Sequence, residues 1–480
     1  MNLYPLKGMP RQGQIWSWIS FDVANQSFTL IINTLLFSLF FQKVVVRDPA
    51  IENTWWSGLF ATSMLLVVVA SPIAGAMADG KHWKKASLLV SGFSCAVMTC
   101  LLSVIGPGQM WLAAALYIPA NFMFNIGENF LASFLPVLAK REDFGRVSGF
   151  SWGVAYFSAL MMLIATALAM KLLHFTSPEQ WRPFFIAAGL WFAAFALPTL
   201  IFLKEEGTPG ATDKASVGNP LVVGFTRLLN TTRELSKFRD LAMLLLASLF
   251  YGAGMSVVIA FASIVAKDFG FSDEAMVTFV AVITVSGIVG TLIPTLLQDR
   301  IGHKRMTLIL LVLWVATTVY LAIIAKQHAP GSSKVPVWIA GNMLGLGLGS
   351  LGAANRAFVG YLTPANRSAE FFGLWGLVFK LAAVLVVPFG YVKDKFGLPS
   401  SLAVLAGFVI VGFVLTLFID EKRGAAAAST PLLEAHSEAS NDQTSIHSAD
   451  SIAATANVQP QTEEHSLLVG FLIKYRKSKK

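Results

Sequence analysis

The sequence predicts an all-α membrane protein in which twelve spanning helices form two pseudo-repeated six-helix bundles. Three observations predict it. Only 13% of the 480 residues are charged and 55% are hydrophobic, about half the charge of an ordinary soluble domain. Twelve windows almost free of charge are long enough to cross a bilayer, which takes about 20 apolar residues. A loop with one acid followed by basic residues occurs twice, at matching places in the two halves.

Residues 1–14 carry Lys7 and Arg11 and are expected to be a short N-terminus outside the membrane. The run that follows is too long, and interrupted by Asp22, for a signal peptide's apolar region, so it reads as the first span. The spans of the first bundle, 15–203, are 15–42, 55–78, 86–106, 111–138, 147–170 and 183–203. Those of the second, 241–419, are 241–266, 275–297, 306–325, 336–362, 371–391 and 399–419. Trp16, Trp18, Trp55, Trp56, Trp83, Trp111, Trp181 and Trp338 fall near the predicted ends, where indole is both apolar and able to hydrogen-bond. The linker 204–240 begins flexibly, with Gly207, Pro209 and Gly210. From Asn219 and Pro220, a cap and first-turn pair, Leu221, Phe225, Leu228 and Leu235 recur at helical spacing, predicting an amphipathic helix on the membrane surface. Residues 420–480 are poor in large apolar side chains and are expected to be a disordered tail. Its last stretch, Leu467–Lys480, joins a short apolar run to five basic residues suited to anionic lipid.

The net charge of +9 sits in short loops rather than in one stripe, which argues against a nucleic-acid partner. Basic residues outside the spans are more than twice as frequent on the side of the N-terminus, and about twice when the tail is discounted, so both termini are expected in the cytoplasm. That means the inner membrane of a bacterium, or a vacuolar or other endomembrane of a eukaryote. Cys95 and Cys100 are five residues apart on one helix and face different sides, so they do not bridge. Gly347–Gly352 fits a dinucleotide pattern but lacks the strand that must precede it. Gly341, Gly345 and Gly349, like Gly145, Gly149 and Gly153, read instead as small-residue ridges for close helix packing. No histidine or cysteine cluster has metal-ligand spacing and no serine sits in a nucleophile turn, so neither cofactor nor enzyme activity is expected.

The paired loops carry the widest resemblance. The first runs from Gly75 through Asp79 to Lys84 and Lys85, and the second has Asp299, Arg300, Gly302, Lys304 and Arg305. They resemble the loop signature of the major facilitator superfamily, the first departing from it at Gly80 and His82. The resemblance implies a latch in which each loop acid meets a helix start of the opposite half, Asp79 near Arg367 and Ser368, and Asp299 near Arg146, when the cytoplasmic side is closed. Glu370 belongs to the same helix start. Three further stretches, Phe21–Phe28, Leu135–Pro136 with Gly145–Gly149, and Arg356 with Pro364, Arg367, Glu370–Gly373 and Lys380, are similar to the branch of autophagy-related vacuolar amino-acid effluxers and their bacterial relatives. One departure is Tyr251–Gly254, where that branch commonly has an acid before glycine.

Ionisable groups inside spans cost roughly 2.5–3.5 kcal/mol each and need a partner or a wet cavity. The candidates are Asp22, Glu128, Arg356 and Lys380, with Asn25, Asn125 and Asn355 as neutral hydrogen-bonding groups beside them. In one reading Asp22 and Glu128 attract an ammonium or a proton while Arg356 or Lys380 holds a carboxylate. In the other they are ion pairs that tie helices together. What the resemblance implies is a monomeric secondary transporter, working by alternating access and exporting an amino acid or small peptide, with protons as candidate coupling ion and lipid as its surroundings. A lipid-handling transporter, or a receptor or scaffold that keeps the fold without transport, stays open beside it.

Overall fold

The computed structural model describes residues 6–79, 83–139, 143–175, 177–205, 220–329, 331–364 and 367–429. The first half contains α1 (Gln12–Val46), α2 (Glu52–Asp79), α3 (Lys84–Val104), α4 (Met110–Ala132), α5 (Phe144–Leu172) and α6 (Arg182–Phe202). The linker helix α7 (Pro220–Leu235) follows. The second half contains α8 (Arg239–Asp268), α9 (Asp273–Ile301), α10 (His303–Gln327), α11 (Val335–Leu362), α12 (Ser368–Val384) and α13 (Val387–Leu417). Among the described residues eleven segments are long and apolar enough to cross a membrane, the last being Glu370–Leu417 with 48 residues. That segment holds two crossings. Gly397 has φ 78° and ψ 180°, a backbone only glycine adopts without strain, so the stretch before it completes the eleventh crossing and the stretch after it is the twelfth.

Within each half the helices pack through small residues. α9 and α11 approach so closely that a Cβ on Gly349 would lie 2.0 Å from the Gly287 carbonyl oxygen, and one on Gly345 would lie 2.5 Å from that of Ile283. Lipid is as apolar as leucine, so this close packing, rather than expulsion from water, holds such helices together. Two members of the ridge expected on α5 do not pack: nothing lies within 4 Å of a Cβ built on Gly149 or Gly153, while the surroundings of Gly145 lie outside the described set. Spacing alone does not distinguish a glycine facing a neighbour from one facing outward.

Across the halves, α2 packs on α12 and α13, α5 on α9, and α1 on α8. Trp56 and Trp181, expected at the membrane surface, are fully buried. Trp56 donates its indole N–H to the Ala260 carbonyl at 2.9 Å, joining α2 to α8. The linker helix also spans both halves. A Cβ on Gly224 would come within 2.4 Å of the Pro72 carbonyl of α2, while Leu228 and Leu235 join a cluster with Leu241, Phe358 and Phe371 of the second half. Its Val222, Phe225 and Leu229 remain exposed.

At the head of the segment expected to be disordered, residues 421–429 are helical. Arg423 there forms a two-pronged pair with Asp240 at 2.7 and 2.8 Å. The lack of large apolar side chains concealed this, although the alanines that follow Gly424 are good helix formers. Residues 430–480, including the basic end, lie outside the described residues.

The glycine contact gives a direct test. Gly349→Val is expected to lower the thermal stability of detergent-purified protein by about 1–3 kcal/mol or more, the usual effect of overpacking, because the obstacle is backbone. Gly153→Val should unfold within a degree or two of the unaltered protein. Equal melting of the two variants would contradict the packing.

Candidate functional site

α4 carries Tyr117, Asn121, Asn125 and Asn129 at four-residue spacing, which places them on one face of the helix. Each is tied to a neighbouring span. Tyr117 donates its hydroxyl to Asn33 Oδ1 at 2.8 Å, and Asn33, in a π-helical turn of α1, donates to Asn121 Oδ1 at 3.1 Å. Asn121 donates to Ser63 at 2.6 Å and Asn129 to Ser71 at 3.1 Å, both on α2. Asn125 donates its amide N–H to the Asn121 carbonyl at 2.8 Å. Its Oδ1 is thereby turned outward from α4.

That oxygen receives Lys380. The ammonium of Lys380, on α12 of the second half, donates to Asn125 Oδ1 at 2.7 Å and lies 3.8 Å from Glu128 Oε2. The Lys380 side chain is 17% exposed and that of Glu128 44%, so the pair is open on the carboxylate's side. Asp22 on α1 accepts a hydrogen bond from the Ser151 hydroxyl of α5. The described structure thus brings Asn125, Glu128 and Lys380 together where the halves meet, while Asp22 and Ser151 are paired within the first half.

Other expected residues lie elsewhere. Asn355 is fully buried and accepts from Ser248 at 3.2 Å, within the second half. Its Nδ2 has no partner among the described residues. Asn25 is buried on α1 with an unpartnered Oδ1. Arg356 is exposed on α11 and makes no ion pair among the described residues. No group of three or more His, Cys, Asp or Glu is placed to hold a metal among those residues.

The side chains of Gly75, Asp79, Asp299 and Ser368 lie outside the described set, as do residues 80–82. What surrounds them is described in part. Arg146 donates to the Lys7 carbonyl at 3.1 Å and lies 3.8 Å from Asp143. Arg367 pairs with Glu370 at 2.7 Å and with Glu234 of α7. Arg300 and Arg305 are exposed.

A matched pair of helix caps sits beside the two loops. Glu205, after α6, accepts from the backbone N–H groups of Lys84 and Lys85 at 2.7 and 3.2 Å. Glu421, after α13, accepts from those of His303 and Lys304 at 2.9 and 3.0 Å. Gly302 turns the chain there with φ 97°. Each half therefore brings an acid from its last span back to the start of its third, satisfying amides that a helix start leaves open. Ser151, Glu205 and Glu421 were not singled out in the sequence. The matching runs Leu203–Glu205 and Ile419–Glu421 were the available signal for the acids; an isolated serine offered none.

The model of a family described as "Vacuole effluxer Atg22 like" matches residues 57–429. The chain belongs to that family. This Atg22-like chain is 23% identical over 424 residues to the uncharacterised MFS-type transporter YxiO of Bacillus subtilis, covering 85% of this chain and 94% of that one. It is 23% identical over 393 residues to autophagy-related protein 22 of Kluyveromyces lactis, covering 77% and 78%. A D-xylose–proton symporter of known structure superposes with a TM-score of 0.64 at 14% identity, covering 86% of this chain and 99% of that one. The twelve-span fold is that of the major facilitator superfamily.

Removing either cap should loosen the start of its helix. Glu205→Ala is expected to speed hydrogen exchange at the Lys84 and Lys85 amides, and Glu421→Ala at those of His303 and Lys304, each by the equivalent of about 0.5–2 kcal/mol. Exchange unchanged at both starts would show that the caps carry no such stabilisation.

Proposed function

We propose that this protein is a secondary active transporter that exports an amino acid or small peptide by alternating access, with the solute held between the two halves at Lys380. The observation that carries this reading is the Lys380 bridge. A cation from the second half takes its acceptors, Asn125 and Glu128, from the first, so a solute carboxylate that engages Lys380 competes with the contact joining the halves. Asp22 and Glu128 then attract the ammonium end of the solute, or a proton. The names of the relatives support efflux and a vacuolar setting, and the symporter's name supports protons as the coupling ion. Both termini in the cytoplasm, a monomer, and a loop latch closing on Arg146 and Arg367 complete the proposal. Arg356, exposed on α11, is a further candidate for the solute carboxylate, whereas Asn25 and Asn355 are buried within their own halves.

Purified protein in proteoliposomes, loaded with labelled amino acids or dipeptides under an imposed pH gradient, tests it. Flux of at least one such solute is expected. Lys380→Met should reduce it at least about tenfold, the loss of a charge-assisted hydrogen bond worth roughly 1.5–3 kcal/mol. Asp22→Asn should weaken the response to the pH gradient. A scaffold has little need of either charge, so no flux for any solute, in a protein that stays folded through both substitutions, would overturn the reading.

A further inference from the structure

We infer that Asp394 is the latch that closes the passage between the two halves on the face opposite the linker helix. Asp394 belongs to α13, in the second half, yet its carboxylate is spent on the first. Its Oδ1 accepts from the Asn53 backbone N–H at 3.1 Å and the Asn53 side-chain amide at 2.7 Å. Its Oδ2 accepts from the Thr54 backbone N–H at 2.7 Å and the Thr54 hydroxyl at 2.6 Å. These two residues lie in the first turn of α2, where a helix presents unpaired N–H groups and favours an anion. One turn before Asp394, the helices are in backbone contact: a Cβ on Gly390 would lie 2.5 Å from the Asn53 carbonyl oxygen and 2.3 Å from the Ser57 hydroxyl.

The neighbouring charges sharpen the assignment, since their close ion pairs form within one half. Lys43 pairs with Glu52 at 2.7 Å in the first half. Lys393 pairs with Asp268 at 2.9 Å, and Lys267 with Asp273 at 2.6 Å, in the second. Asp394 differs from these ion pairs in making its hydrogen bonds across the seam. Ser38 and Ser263, 3.1 Å apart, and Trp56 with Ala260 complete the closure beneath it. All four hydrogen bonds to Asp394 come from one helix start, so parting α2 from α13 removes them together and leaves a bare carboxylate facing a bare helix end. The latch is therefore made or broken as a unit, as a two-state gate requires.

The inference rests on alternating access, but its test needs no knowledge of the solute. In a Cys100→Ser background, Ser263→Cys places a thiol on the buried α8 position behind the gate. A membrane-impermeant maleimide, applied separately to each face of the membrane, reads its exposure. Asp394→Ala, which removes all four bonds, is expected to raise labelling from the face opposite α7 at least about tenfold, the population change that the loss of even one charge-assisted hydrogen bond would give. Asp394→Asn, which keeps one oxygen acceptor, should fall between, and Asp273→Asn, which breaks a pair inside one half, should leave the rate unchanged. Labelling of Asp394→Ala at the background rate, or an equal rise with Asp273→Asn, would overturn the assignment. Should Asp394→Ala fail to fold, Thr54→Ala removes only the hydroxyl bond and must move the rate in the same direction; an unchanged rate there refutes the latch.

Discussion

Lys380 is a cation carried by one half of the molecule whose hydrogen-bond acceptor belongs to the other. A protonated amine within a membrane span needs acceptors, because lipid offers none. Asn125 is able to serve because its own amide is already committed to the Asn121 carbonyl, which leaves its oxygen free to face the lysine. The ladder from Tyr117 through Asn33 and Asn121 fixes that choice one residue at a time. The bridge thus depends on the orientation of α4, and α4 is oriented by α1 and α2.

The halves and the seam between them are held by different physics. Inside the second half, α9 and α11 touch backbone to backbone through glycines, contacts that tolerate no sliding. At the seam the ties are mostly directional: Lys380 to Asn125 and Glu128, Asp394 to Asn53 and Thr54, Trp56 to Ala260, and Ser38 to Ser263, with one close backbone approach at Gly390. Close-packed halves joined by exchangeable polar contacts suit rigid-body rocking, in which the polar contacts change partners while the packing stays intact. The linker helix adds a tie on its own face, with Gly224 against Pro72 and Glu234 paired to Arg367.

Much of this was legible in the sequence. Span number, span limits and the repeat follow from apolar run length and paired loops, since the bilayer leaves few other solutions. Asp22, Glu128 and Lys380 stood out because an intramembrane charge needs a reason, and Asn125 as a neutral hydrogen-bonding group beside them. Their grouping was not legible. Nothing in the chain says that Lys380 reaches Asn125, 255 residues away, or that Asn355 turns into its own half. Gly149 and Gly153 show the same limit, because identical spacing serves packed and open faces alike. Glu205 and Glu421 were hidden by ordinariness, two acids among others at the ends of spans, until the fold returned each to a helix start.

On the proposed function, a solute held at Lys380 changes how the two halves meet. Spin labels on the exposed Trp83 and Tyr361 positions, one on each half and both near the linker face, measure that directly through their distance distribution. The account predicts that an amino-acid solute at saturating concentration shifts the distribution between two populations, and that the shift disappears in Lys380→Met. A distribution that stays the same with every solute, or that shifts equally without Lys380, would contradict it.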